Sequence, residues 1–160
     1  MKINELKITY IEKSHNELSD SEKKLLEEAT VAAKKAYAPY SKFRVGAVVL
    51  LENGEVFSGC NQENAAFPSG LCAERVTVFY ANAKYPDVAV DTLLITVLDE
   101  RGDYRGEPVP PCGACRQVLS ETETRHGKPM RILLVGKSKV YEFSSVSDLL
   151  PFIFSGNELL

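Results

Sequence analysis

Short apolar runs alternate with stretches of helical period along this chain, and that alternation restricts the fold more than any other feature. Residues 44–51 and 55–60 are rich in Val, Leu and Phe, and Thr92–Leu98, Arg131–Val135 and Val140–Phe143 repeat the pattern, which predicts strands. Glu52-Asn53-Gly54-Glu55 separates the first two with an Asn-Gly pair, the best short signal for a hairpin. Ser19-Asp20-Ser21-Glu22 is a capping-box pattern ahead of Leu25, Leu26, Ala29, Ala32, Ala33 and Ala36, and Pro39 stops that helical run. Val76, Phe79, Tyr80 and Ala83 share one face of a second helical segment, from Cys72 to about Lys84. A third helix is expected over 112–125, ending near Gly127 with Arg125 and His126 in its last turn. Ser147 is expected to cap a short closing helix that Pro151 cuts off. Strands alternating with helices in so short a chain predict an α/β sandwich, with helices on both faces of one sheet. No repeat, linker or composition break is visible, so one domain over 1–160 is expected, with 1–18 as an N-terminal extension. The strand-like stretch Lys7–Glu12 in that extension fits either joining the sheet or draping over a neighbour.

Composition then narrows the function. Nineteen Lys and Arg against 22 Asp and Glu leave a net charge of −3, which gives no electrostatic footprint for a phosphate backbone. The longest hydrophobic stretch, Val45–Leu51, falls far short of the roughly 18 residues of a membrane span. Lys2, Asn4, Glu5 and Lys7 interrupt any apolar signal region. A cytoplasmic protein acting on something small, with neither nucleic-acid nor membrane partners, is the expectation. In such a chain Cys60, Cys72, Cys112 and Cys115 are metal or catalytic candidates before they are disulfide partners.

Their spacing carries the chemistry. Cys112-Gly113-Ala114-Cys115 is a C-x-x-C pair, and Cys72 precedes it by 39 intervening residues. Both sets fall at expected helix starts, where unpaired N–H groups and the helix dipole favour thiolates. Three sulfurs on Zn²⁺ leave a fourth tetrahedral corner open, as in catalytic rather than structural sites. Glu74, two residues beyond Cys72, can reach a zinc-bound water without being a ligand, and can collect and redeliver its proton. Arg75 and Arg116 are candidates to offset the thiolate charge by hydrogen-bonding the sulfurs. A thioredoxin-like redox pair is the alternative for the C-x-x-C alone, and a closed four-sulfur site using Cys60 is the alternative for the set. Against the closed site, Cys60 ends an expected strand as a small apolar residue, and Glu74 has no purpose there.

Four motifs in order extend this reading: Pro39-Tyr40-Ser41-Lys42-Phe43-Arg44-Val45-Gly46-Ala47, Gly59-Cys60-Asn61-Gln62-Glu63-Asn64-Ala65-Ala66, Cys72-Ala73-Glu74-Arg75, and Pro111-Cys112-Gly113-Ala114-Cys115-Arg116-Gln117. Together they closely resemble the small, zinc-dependent, homotetrameric cytidine deaminases over residues 20 to 155. The resemblance implies a three-layer α/β/α sandwich around a mixed, mostly five-stranded sheet. It implies one Zn²⁺ per subunit, held by Cys72, Cys112 and Cys115, with Glu74 as proton shuttle and Arg75 bonded to the sulfurs. Asn61 and Glu63 would hold the ribose with Gln62 between them, Phe43 would pack against the pyrimidine, and Ala73 would join the substrate contacts. Phe67 and Phe154 sit where a neighbouring subunit contributes aromatic rings. The implied reaction is hydrolytic deamination of cytidine and 2′-deoxycytidine, part of pyrimidine salvage. A blasticidin-S-type deaminase and a non-catalytic, zinc-stabilised interaction module are the alternatives. The chain departs from the family pattern at 76–86, in a longer 121–130 segment, and in its N-terminal extension.

Overall fold

The computed structural model describes residues 1–159; Leu160, the last residue of the expected 1–160 unit, lies outside the described residues. Six strands, β1 (Ile11–Ser14), β2 (Arg44–Leu51), β3 (Val56–Cys60), β4 (Val90–Leu98), β5 (Arg131–Val135) and β6 (Lys139–Phe143), form one sheet in the order β1-β6-β5-β4-β2-β3. Only β4 and β5 pair in parallel; every other neighbour is antiparallel, so the sheet is mixed. The parallel pair needs a crossover, and α3 (Gly113–His126) supplies it. Helix α1 (Asp20–Lys34) covers one face of the sheet, and α2 (Ala73–Lys84) packs with α3 on the other.

Side-chain alternation along β2 shows how the layers are assigned. Val45, Ala47 and Val49 face the α2/α3 side with Leu93, Ile95, Ile132 and Leu134, whereas Val48 faces α1 with Leu94 and Leu133. Gly46 lies on the α1 side, where the helix backbone comes so close that a Cβ would stand 1.9 Å from the Ala29 carbonyl oxygen. The expected hairpin joins β2 to β3: Gly54 takes φ +86°, its N–H donates to Leu51 O at 2.9 Å, and Asn53 Oδ1 accepts from the Glu55 N–H at 3.1 Å.

Among the described residues the sheet has six strands, against the mostly five expected. The sixth, β1, comes from the N-terminal extension, overlaps the strand-like stretch Lys7–Glu12 at Ile11 and Glu12, and joins the sheet by pairing with β6 through its backbone. Ions fix its place. Lys13 Nζ meets Glu142 and lies 3.7 Å from Glu22, and Arg131 Nη1 lies 2.9 Å from Glu22 and 3.4 Å from Glu142. Tyr10 then packs on Tyr141 and Phe143, with ring centroids 5.0 and 5.4 Å apart. The expected closing helix is a single 3-10 turn, Val146–Asp148, and Ser145 caps it rather than Ser147. No helix among the described residues is long and apolar enough to cross a membrane.

One carboxylate gathers several ties of the long 121–130 segment, beside the Lys128–Glu52 ion pair and the Arg125 bond to Pro86 O. Gly127 closes α3 in the left-handed conformation, and Glu123 accepts from Met130 N–H (2.8 Å), Val146 N–H (3.0 Å) and Ser145 Oγ (3.0 Å). It thereby ties the end of α3 to the start of β5 and to the closing turn. Glu123→Ala leaves two main-chain donors without their acceptor, and a loss of about 2–3 kcal/mol is expected in urea unfolding.

Candidate metal centre and active site

The chain enters α2 through Cys72 and α3 through Cys112, each as N-cap in extended backbone with its carbonyl already accepting the first helical N–H. Neither cysteine caps its helix with its side chain, so the positive ends of both helices stay directed at the sulfurs. Cys115, one turn into α3 and fully buried, completes the group. The Sγ of Cys112 lies 3.7 Å from that of Cys72 and 3.5 Å from that of Cys115, and all three sulfurs lie within 4.8 Å of one another. Zinc–sulfur bonds of ~2.3 Å at tetrahedral angles require sulfurs about 3.8 Å apart. The spacing fits the ion. Cys60 stays outside the group; its sulfur ends β3 and accepts from Gln62 Nε2 at 3.4 Å, which speaks against the closed four-sulfur alternative.

The three thiols interact strongly with one another. The Cys72 thiol is brought down to about 5 by its hydrogen bond with Cys115, then by Arg75 and Cys112, whereas Cys115 is pushed up by the same bond and by burial. Arg75 Nη2 points at Cys72 Sγ from 4.0 Å, as the charge argument expects. Arg116 does not share that task. Its Nε donates to Pro111 O at 2.8 Å and its Nη1 to Leu149 O at 2.6 Å, so it holds the entrance of α3 to the closing segment. Glu74 is buried beside the sulfurs in the first turn of α2, and its Oε2 has no hydrogen-bond partner. A buried carboxylate oxygen without a partner is costly, and one facing a metal centre finds its partner in what the centre binds. Burial, reinforced by the Cys72 thiolate, pushes the Glu74 carboxyl up to about 6.

Of the other expected site residues, Gln62 pairs through its main chain with Leu71, the neighbour of Cys72, and Phe43 leads into β2 at Arg44, which pairs with Leu98 at the end of β4. Phe43 is half-buried against the α2/α3 core, and the Arg105 guanidinium lies over its ring, 5.2 Å from the centroid. Ala73 is fully buried as the first helical residue of α2. Asn61 is a staple: Oδ1 accepts from Val45 N–H at 2.8 Å and Nδ2 donates to Phe43 O at 2.9 Å, which leaves one amide hydrogen free of protein partners. Gln62 carries the main chain between Tyr37 and Leu71, with its side chain exposed. Glu63 accepts from Tyr40 N–H at 2.9 Å, Ser41 N–H at 3.3 Å and the Ser41 hydroxyl. Phe67 and Phe154 are exposed, at 91% and 59%, and the Phe154 carbonyl accepts from Gln117 Nε2 at 2.8 Å. Sequence reasoning missed the Arg105 cover and the Ser41 link; the second had a signal in the Tyr-Ser-Lys-Phe motif.

Helices on both faces of a mixed sheet and an open group of three thiols at two helix starts define an α/β protein built round a zinc-type centre. The model of the cytidine and deoxycytidylate deaminase zinc-binding region matches residues 19–127. A cytidine deaminase from Sporosarcina psychrophila is 40% identical over 136 residues, which span 85% of this chain and 93% of that one. One from Halalkalibacterium halodurans is 37% identical over 143 residues, 84% and 95% of the respective chains. The crystal structure of cytidine deaminase from Burkholderia pseudomallei superimposes with a TM-score of 0.66 at 36% identity, covering 86% of this chain and all of the other. The chain belongs to the cytidine and deoxycytidylate deaminase family. Its cofactor is zinc, for which the three-sulfur group has the right donors and spacing.

Proposed function

We propose that the protein hydrolyses cytidine and 2′-deoxycytidine to uridine and 2′-deoxyuridine, releasing one ammonia for each water consumed. The observation that carries this reading is the open three-sulfur group with the buried, partnerless Glu74 oxygen beside it. The relatives named cytidine deaminase, aligned over most of both chains, support the choice of base. Cys72, Cys112 and Cys115 hold the zinc in this reading. When bound, zinc supplies an acidified water as nucleophile for C4 of the pyrimidine. Glu74 takes that water's first proton and hands it to N3, then takes the proton of the new C4 hydroxyl and delivers it to the exocyclic amine, so that ammonia leaves as the C4 carbonyl forms. Its position at the positive end of α2 and its upward-shifted carboxyl suit a group that must both accept and give.

Phe43 and Ala73 form the wall for the base, while the free amide hydrogen of Asn61 and the carboxylate of Glu63 hold the sugar. Arg75 offsets the thiolate charge. Four cysteines free of disulfides suit the reducing cytoplasm, the compartment proposed here. The exposed rings of Phe67 and Phe154 support a homotetramer in which neighbours complete each site. Light scattering on the eluting peak is expected to give four copies, and a 17.7 kDa particle would overturn the assembly.

The decisive experiment is loss of the cytosine absorbance band when the zinc-loaded protein meets cytidine. An unchanged band at high protein concentration rules out the activity and favours the non-catalytic module. Metal analysis tests the ligand set separately. Cys72→Ser, Cys112→Ser and Cys115→Ser are each expected to lose most of the zinc, whereas Cys60→Ser keeps one equivalent. A metal-free Cys60→Ser protein would restore the four-sulfur alternative.

A further inference from the structure

The carboxylate assigned to the sugar is itself held by a residue outside the assigned site. Residues 39–43 turn sharply: Lys42 N–H donates to Ala38 O at 3.1 Å, and Lys42 takes φ +58°, a left-handed conformation that a non-glycine residue adopts at a cost. Inside the turn Ser41 Oγ accepts from Phe43 N–H at 3.0 Å. That bond fixes the direction of the hydroxyl, whose one proton goes to Glu63 Oε1. Tyr40 N–H and Ser41 N–H meanwhile both donate to Oε2. The main chain of Glu63 is anchored independently, its N–H donating to Tyr37 O at 2.8 Å. A carboxylate offers about four acceptor positions, and here three are filled.

We propose that Ser41 is a positioning residue for sugar recognition: its hydroxyl links Phe43 to Glu63 and leaves the Glu63 carboxylate one acceptor position, on Oε1, aimed at a sugar hydroxyl. The inference rests on the nucleoside reading above. The Ser41 hydroxyl, then the Tyr40 and Ser41 N–H groups and the charge of Lys42 on the same turn, hold the carboxyl below its ordinary range, so the group stays a pure acceptor. Without the hydroxyl, the carboxylate keeps its two main-chain donors but can swing about them, and Phe43 N–H loses its acceptor.

Steady-state kinetics on the zinc-loaded protein test this. Ser41→Ala is expected to raise KM for cytidine about tenfold, the low end for a bond to a charged group, with kcat within about twofold and zinc content unchanged. Ser41→Thr, which keeps the hydroxyl, is expected to bring KM back to within about threefold of the parent. In a Glu63→Ala background, adding Ser41→Ala is expected to raise KM by no more than about twofold, because only the lost acceptor for the Phe43 N–H then remains. An unchanged KM in Ser41→Ala, a loss confined to kcat, or an undiminished Ser41 effect without Glu63 would each overturn the proposal while leaving cytidine turnover by the parent intact. A parent protein that does not turn over cytidine would instead overturn the nucleoside reading, and this inference with it.

Discussion

Glu74→Gln is expected to keep its zinc and its fold and to lose about 10²–10⁴ in kcat on cytidine, the usual worth of a positioned acid–base group. The amide matches the carboxylate in shape, so the packing at the first turn of α2, where the residue is 4% exposed, is preserved. What disappears is a group that can take a proton from water and deliver it to a ring nitrogen. The Glu74 Oε2 atom has no protein partner to lose, so an amide nitrogen in its place removes the acid–base chemistry without breaking a hydrogen bond at that atom. Metal content and thermal unfolding of the variant, measured beside its turnover, separate that outcome from damage to the site. Turnover at the parent rate would show that the proton travels by another group.

Gly46→Ala has the largest expected effect on stability. Its added methyl would stand 1.9 Å from Ala29 O and 2.8 Å from Ala33 N, both backbone atoms of α1, so no side chain can swing aside to relieve the clash. Either the helix lifts from the sheet or β2 bends away from β4. Over-packing by one methyl group commonly costs up to ~3 kcal/mol, and a backbone-on-backbone clash belongs at or above that end. For a chain of this size that is a fall in Tm of roughly 6–12 °C. A parent-like Tm would mean that α1 is free to shift, contrary to its buried Ala29 and Ala33.

Much of this architecture is legible in the sequence because its causes are local. The capping box at Ser19, the Asn53-Gly54 turn, the Gly127 stop and the cysteines at helix starts all act within a few residues, and the structure has each in its expected place. The apolar runs likewise announce β2, β4 and β5, which are buried on both faces. Strand β1 is only partly legible, for the opposite reason. Lys7–Glu12 reads as strand-like, but Ile11–Ser14 is polar and mostly exposed, and its pairing with β6 and its ion pair with Glu142 lie far off in sequence. Arg116 is a similar case: its neighbour Cys115 suggests a sulfur partner, but the fold delivers the Leu149 carbonyl to its guanidinium. The three sulfurs could be grouped from helix logic alone. That the Asn61 amide is largely committed to the main chain, and that Ser41 restrains Glu63, depends on how β3 returns beside the start of β2, which no local pattern encodes.

The β2–β3 hairpin has a practical consequence. Its tip at Asn53 and Gly54 lies at the far end of β2 from Phe43, eight strand residues or about 27 Å along the chain. The turn faces solvent at Asn53 and Glu55, whereas Gly54, at φ +86°, is best left as glycine. A dye, an affinity handle or a surface tether attached there would immobilise the molecule while leaving its reactive end open to diffusing nucleosides.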